Sequence, residues 1–233
     1  MKLRTIPFLW FFLLLVILDL WVGTSDFTGF RQLTKPLILT ALLLYFGHFG
    51  KSLPKSIYRP TLLALLFSLL GDIFLLYDTQ YELFFILGLG SFFMAHLCYA
   101  LVFFNQRSPQ LPKGFWFVLS LLITYGSTLY LVLAEKLGAL KIPVLLYILG
   151  ILTMAITAFA RKKEGRPKPY TLVFTGALFF IVSDSILAVN KFLTAVPWSH
   201  LLVMGTYAVA QYLIVMGLLG TKSKSRATSK VIS

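Results

Sequence analysis

The chain has 233 residues, of which 58% are hydrophobic and 12% charged, and its mean hydropathy is +0.86. Soluble domains carry about 25% charged residues, so this composition excludes an ordinary water-soluble globule. The net charge of +13 would suggest nucleic acid on a soluble protein. Here the basic residues sit in short breaks between apolar runs, where they set orientation in a membrane, and no nucleic-acid partner is expected.

Met1-Lys2-Leu3-Arg4 followed by apolar residues has the outline of a signal peptide. No small-residue cleavage site follows, so the expectation is a retained first span. A bilayer crossing needs about 17–25 apolar residues. Eight segments meet that length, at roughly 5–22, 33–49, 60–77, 82–104, 114–133, 142–160, 172–190 and 199–219. Turn and charge signals separate them: Gly50 to Lys55, Ser108 to Lys113, and Arg161 to Pro169. The fold class expected is all-α, a polytopic bundle of eight transmembrane helices. Residues 1–220 read as one transmembrane domain, and 221–233 as a basic, disordered cytoplasmic tail. The single cysteine, Cys98, excludes a disulfide within the chain.

Of the 21 Lys and Arg residues, 16 fall at the two termini and in the second, fourth and sixth connections, and 5 on the other side. This asymmetry places both termini in the cytoplasm. The Arg161–Lys168 run reads first as an orientation signal, with anionic headgroups as a secondary ligand.

An internal repeat emerges when the spans are overlaid. Gly71-Asp72 in the third span answers Ser183-Asp184 in the seventh, at an offset of 112. Gly90 to His96 in the fourth span answers Gly205 to Gln211 in the eighth, and Lys35-Pro36 answers Lys141-Ile142-Pro143. The reading is two four-span halves of the same orientation, related by an axis along the membrane normal, as in parallel-repeat transporters.

Asp19, Asp72 and Asp184 lie within spans. A carboxylate at a membrane-helix centre costs about 2.5–3.5 kcal/mol on insertion scales, so each needs a partner or a task. All three, with Lys35, Asn190 and Lys191, fall toward one end of the bundle, and a shared polar cavity is the economical explanation. The alternative is that each aspartate is packing glue between helices. His96 and Tyr99 share a helix face, as do Tyr207 and Gln211. No second His or Cys stands at ligand spacing, so no metal is expected. Ser183 and Ser185 flank Asp184 but form no G-x-S-x-G elbow, so Ser183 is read as a hydrogen-bond partner.

The order of these motifs resembles the lysoplasmalogenase family, eight-span membrane proteins also called YhhN. The resemblance rests on Lys35-Pro36, Gly71-Asp72 with Leu75, Ala95 to Tyr99, Gly176 to Phe180 leading to Ser183-Asp184, Lys191-Phe192, and Tyr207 with Ala210-Gln211. It spans residues 33 to 213. It implies hydrolysis of the vinyl ether bond of a lysoplasmalogen to a fatty aldehyde and a glycerophospho-base, with a lysophospholipid as the only partner and no cofactor or obligate protein partner.

A vinyl ether is stable to base and labile to acid. Its hydrolysis needs a protonated carboxyl near neutral pH and a second carboxylate to stabilise the cation or take a proton from water. Burial and a neighbouring carboxylate both favour a retained proton. Asp72 and Asp184 are the expected pair, with His96, Tyr99, Ser183, Asn190, Tyr207 and Gln211 orienting water and substrate, and Lys35 and Lys191 near the phosphate. Intramembrane aspartates in a parallel repeat equally suit a small proton-coupled transporter. A third reading is a lipid-binding scaffold.

Overall fold

A computed structural model of the chain describes residues 2–25, 28–78, 80–161 and 167–221. Residues 162–166 of the basic run and 222–233 of the tail lie outside the described residues. The described residues hold eight long helices and no named strand: α1 (Lys2–Thr24), α2 (Arg31–Phe49), α3 (Lys55–Leu75), α4 (Glu82–Asn105), α5 (Phe115–Ala134), α6 (Lys141–Phe159), α7 (Pro167–Phe192) and α8 (Ser199–Gly220). All eight contain a stretch long and apolar enough to cross a membrane. An apolar medium offers no hydrogen bonds to the backbone, and a helix satisfies its own. Pro7, Pro36 and Pro60 stand in the early turns of α1, α2 and α3, where few intrahelical bonds are lost.

The helices are joined by short connections. The two most extensive interfaces are α3 with α4 and α7 with α8, followed by α4 with α6. The α7–α8 interface is closed by glycine. A Cβ on Gly176 would lie 2.8 Å from the Ala210 carbonyl oxygen and 3.1 Å from the Ile214 nitrogen, and one on Gly217 would lie 2.9 Å from the Pro169 oxygen. These are backbone atoms of the facing helix, so the two helices approach as closely as small-residue membrane contacts permit. The main core runs through α2, α3, α4, α6, α7 and α8. A second, smaller core of Leu133, Leu137, Val144 and Ile148 sits at the far end of α5 and the start of α6.

The contacts repeat between halves. Around Asp72, Lys35 comes from α2 and Tyr207 from α8. Around Asp184, Tyr147 comes from α6 and His96 from α4. Adding 112 to Lys35 gives Tyr147, and adding it to Asp72 gives Asp184. The same offset joins Tyr99 to Gln211, and these two side chains hydrogen-bond to each other at 2.7 Å. Equivalent residues touch only near a twofold axis. The structure thus pairs Lys35 with Tyr147 and Tyr99 with Gln211, where the sequence overlay pairs Lys35 with Lys141 and His96 with Gln211. The reason is that the overlay matched residue types, whereas the contacts match depth in the bundle.

Replacing Gly176 with Ala is expected to destabilise the protein by about 1–3 kcal/mol, the usual range for overpacking. Gly90, whose Cβ would meet nothing within 4 Å, should accept Ala without loss. Unfolding midpoints in detergent for the two variants check this.

Candidate functional site

Two carboxylates organise the interior. Asp72, near the end of α3, is buried together with Lys35. The Lys35 Nζ lies 3.5 Å from Asp72 Oδ1, and the Tyr207 hydroxyl donates to Asp72 Oδ2 at 2.9 Å. Lys35 stands in the first turns of α2 and Asp72 in the last turn of α3, so consecutive antiparallel helices bring them to one level. An uncompensated charge here would be strongly unfavourable, and the pair answers it.

Asp184 differs. Its side chain is 14% exposed, against 2% for Asp72. The Tyr147 hydroxyl donates to Asp184 Oδ2 at 2.6 Å, and His96 Nε2 lies 3.6 Å from the same oxygen, beyond a direct hydrogen bond. His96 is fully buried, and neither ring nitrogen has a hydrogen-bond partner in the protein. Asp184 lies on the wall of a narrow, partly open cavity between α4, α5, α6 and α7. Leu129, Ile151, Leu152 and Ile181 give that cavity its apolar character, while Asp184, Tyr147, Tyr125 and Ser185 supply its polar groups. An apolar chamber with a few convergent polar groups is the usual form of a small-molecule site.

Aromatic rings join the two carboxylates. The Phe180 ring lies 4.7 Å from His96 and 5.4 Å from Tyr207, edge to face with both, and Phe92 lies 5.7 Å from Tyr207. Behind Tyr207, the Tyr99 hydroxyl donates to Gln211 Oε1, and Gln211 Nε2 donates to Ser68 Oγ at 2.9 Å. Lys35, Asp72, His96, Tyr99, Tyr207, Gln211 and Asp184 therefore belong to one connected interior.

Three candidates stand apart from the carboxylates. The Ser183 hydroxyl donates to the Val203 carbonyl at 3.0 Å, tying α7 to α8. Asn190 Oδ1 accepts from the Val196 amide and shapes the α7–α8 connection. Lys191 is exposed and pairs with Asp78 at 2.9 Å, at the rim. Adjacency in sequence misplaces Ser183, because neighbours on a helix point about 100° apart.

Tyr147 is the partner that residue-type reasoning missed. The signal was present in the offset of 112 applied to Lys35. A second polar group lies on the opposite flank. Asp19 is fully buried and accepts from the Thr34 hydroxyl at 2.7 Å. His200 Nε2 lies 3.9 Å from Asp19 Oδ2, and Arg31 lies 3.0 Å from His200 Nδ1.

The profile of the YhhN family matches residues 30–218. The chain belongs to the YhhN family. It is 32% identical over 203 residues to human "Lysoplasmalogenase TMEM86A", covering 84% of this chain and 81% of that protein. It is 30% identical over 202 residues to human "Lysoplasmalogenase TMEM86B", covering 86% and 80%. A "Lysoplasmalogenase" of Mycobacterium bovis is 30% identical over 157 residues, 66% of this chain and 58% of that protein. No solved structure matches this chain.

Replacing Lys35 with Met strands the Asp72 carboxylate and should lower stability by about 3–5 kcal/mol, with most of the loss recovered in a Lys35→Met, Asp72→Leu double variant. Denaturant midpoints of the three proteins check the coupling.

Proposed function

We propose that this chain hydrolyses the vinyl ether bond of lysoplasmalogens within the membrane, by acid–base catalysis at Asp184 assisted by Asp72. The observation that carries this reading is a carboxyl, Asp184, on the wall of an otherwise apolar chamber. The relatives named lysoplasmalogenase support the substrate class.

The substrate R–CH=CH–O–R′ takes a proton on the alkenyl carbon distal to oxygen, which gives an oxocarbenium ion. Asp184 supplies that proton. Water adds to the oxygen-bearing carbon and loses a proton to the Asp184 carboxylate. The hemiacetal then collapses to R–CH₂–CHO and HO–R′, so one water is consumed. Tyr147 fixes the carboxyl it bonds, and His96 backs that carboxyl with its ring nitrogens buried. Asp72, sealed by Lys35 and Tyr207, assists by holding α2, α3 and α8 in place behind the Phe180 ring. The chamber's apolar walls would hold the alkenyl chain, with the phosphate toward the rim that carries Lys191. The excess of Lys and Arg places both termini in the cytoplasm in this reading.

A proton donor positioned at the reacting atom is worth about 10²–10⁴-fold. Asp184→Asn is therefore expected to lower aldehyde release from lysoplasmalogen by about that factor in folded, purified protein. Asp72→Asn should lower it less. Near-full activity of Asp184→Asn would overturn the mechanism, and substrate flux into proteoliposomes without covalent change would point to transport instead.

A further inference from the structure

α5 packs sparsely on the bundle. Its buried residues are Leu122, Gly126 and Leu133. Leu122 joins the main core, Leu133 the smaller one, and the chamber lies between. On the outer side of the same stretch, α5 and α6 form a second apolar groove lined by Ser127, Tyr130, Leu145 and Leu149. Gly126, Ile148 and Leu152 line both chamber and groove. The partition between them is thus one side chain thick. A Cβ on Gly126 would lie 2.5 Å from Leu152 Cδ1 and 3.0 Å from Ile148 Cγ2, so only glycine leaves Leu152 its position there. Leu131 and Leu149, at the outer lip, are 70% and 53% exposed. In a membrane these positions face hydrocarbon.

The internal repeat explains why this flank is open. The counterpart of α5 is α1, which packs on α8, while α5 has no comparable interface with α4. On the α1 flank Asp19 lies beside His200. The offset of 112 carries Asp19 onto Leu131 and His200 onto Gly88, so the polar clasp that draws α1 inward has no equivalent on α5. The Tyr125 hydroxyl donates to Ser185 Oγ at 2.7 Å and keeps α5 fastened to α7 beside Asp184.

We propose that the α5–α6 groove is a lateral portal, through which the alkenyl chain of the lysolipid passes from the bilayer past Gly126 and Leu152 into the chamber of Asp184. The occupant follows from the continuity of the groove with the chamber and from the apolar character of both. The identity of the chain as alkenyl rests on the vinyl ether reading above, and the passage of a single lipid chain does not.

Two measurements on the full chain in lipid nanodiscs test this. In the first, a saturated, uncleavable hexadecyl ether lysophosphocholine with a terminal diazirine is photolysed, and adducts are mapped by mass spectrometry. Ile151, which is buried and lines the chamber, should be labelled in the wild type. Its labelling should fall at least fivefold in Gly126→Leu and in Ser127→Trp, the latter a bulky change at a lipid-facing site that spares the core. Adducts confined to lipid-facing positions such as Leu131, or Ile151 labelling unchanged in both variants, would overturn the portal.

In the second, aldehyde release is compared for hexadecenyl and butenyl lysoplasmalogens. Ser127→Trp should lose at least tenfold in kcat/KM for the long chain and less than twofold for the short one, whereas equal losses for both chains would overturn the portal. A wild-type protein that releases no aldehyde from either substrate sinks the vinyl ether reading alone, and the labelling then decides the portal by itself.

Discussion

A carboxylate taken out of water must be given its hydrogen bonds by the protein, and in this bundle that requirement governs which helices meet. Asp72 draws Lys35 from α2 and Tyr207 from α8. Asp184 draws Tyr147 from α6 and lies beside His96 of α4. Each carboxylate therefore bridges its own half of the molecule to the other. The interaction is local in energy and global in consequence, since moving either helix would strand a buried polar group.

The two halves satisfy that requirement differently. On one flank the cation is provided, and Asp72 is sealed by its ion pair with Lys35. On the other, the position equivalent to Lys35 is Tyr147, a neutral donor that bonds the carboxyl without neutralising it. α5 leaves a chamber beside that second carboxyl. One carboxyl thus sits in an arrangement suited to holding the fold and the other in one open to a ligand. The thin wall along α5 belongs to the same asymmetry, because Gly126 removes the side chain that would thicken it.

Much of this was legible in the residues. Runs of apolar side chains longer than a bilayer is thick have few alternatives to spanning helices. Asp72 and Asp184 stood out because a charge in such a run is unfavourable by a known amount. The offset of 112 between them was legible too. Tyr147 escaped notice because a tyrosine in an apolar helix carries no such penalty, and the hydrogen-bond partner of Ser183, the Val203 carbonyl, is set by how α7 meets α8. The chamber left no mark in the sequence, since its walls are the ordinary Leu and Ile of any membrane helix.

Helix number, class and the identity of the buried acids are properties of the chain alone, because hydrophobic length and the unfavourable burial of charge are set by composition along the sequence. Which acid faces a cavity, which is locked in an ion pair, and where the bundle opens sideways were decided only by tertiary structure. Those outcomes depend on how closely α5 and α1 approach their neighbours, and that approach is fixed by pairs of residues far apart in the chain: His200 with Asp19 on one flank, Gly126 with Leu152 on the other.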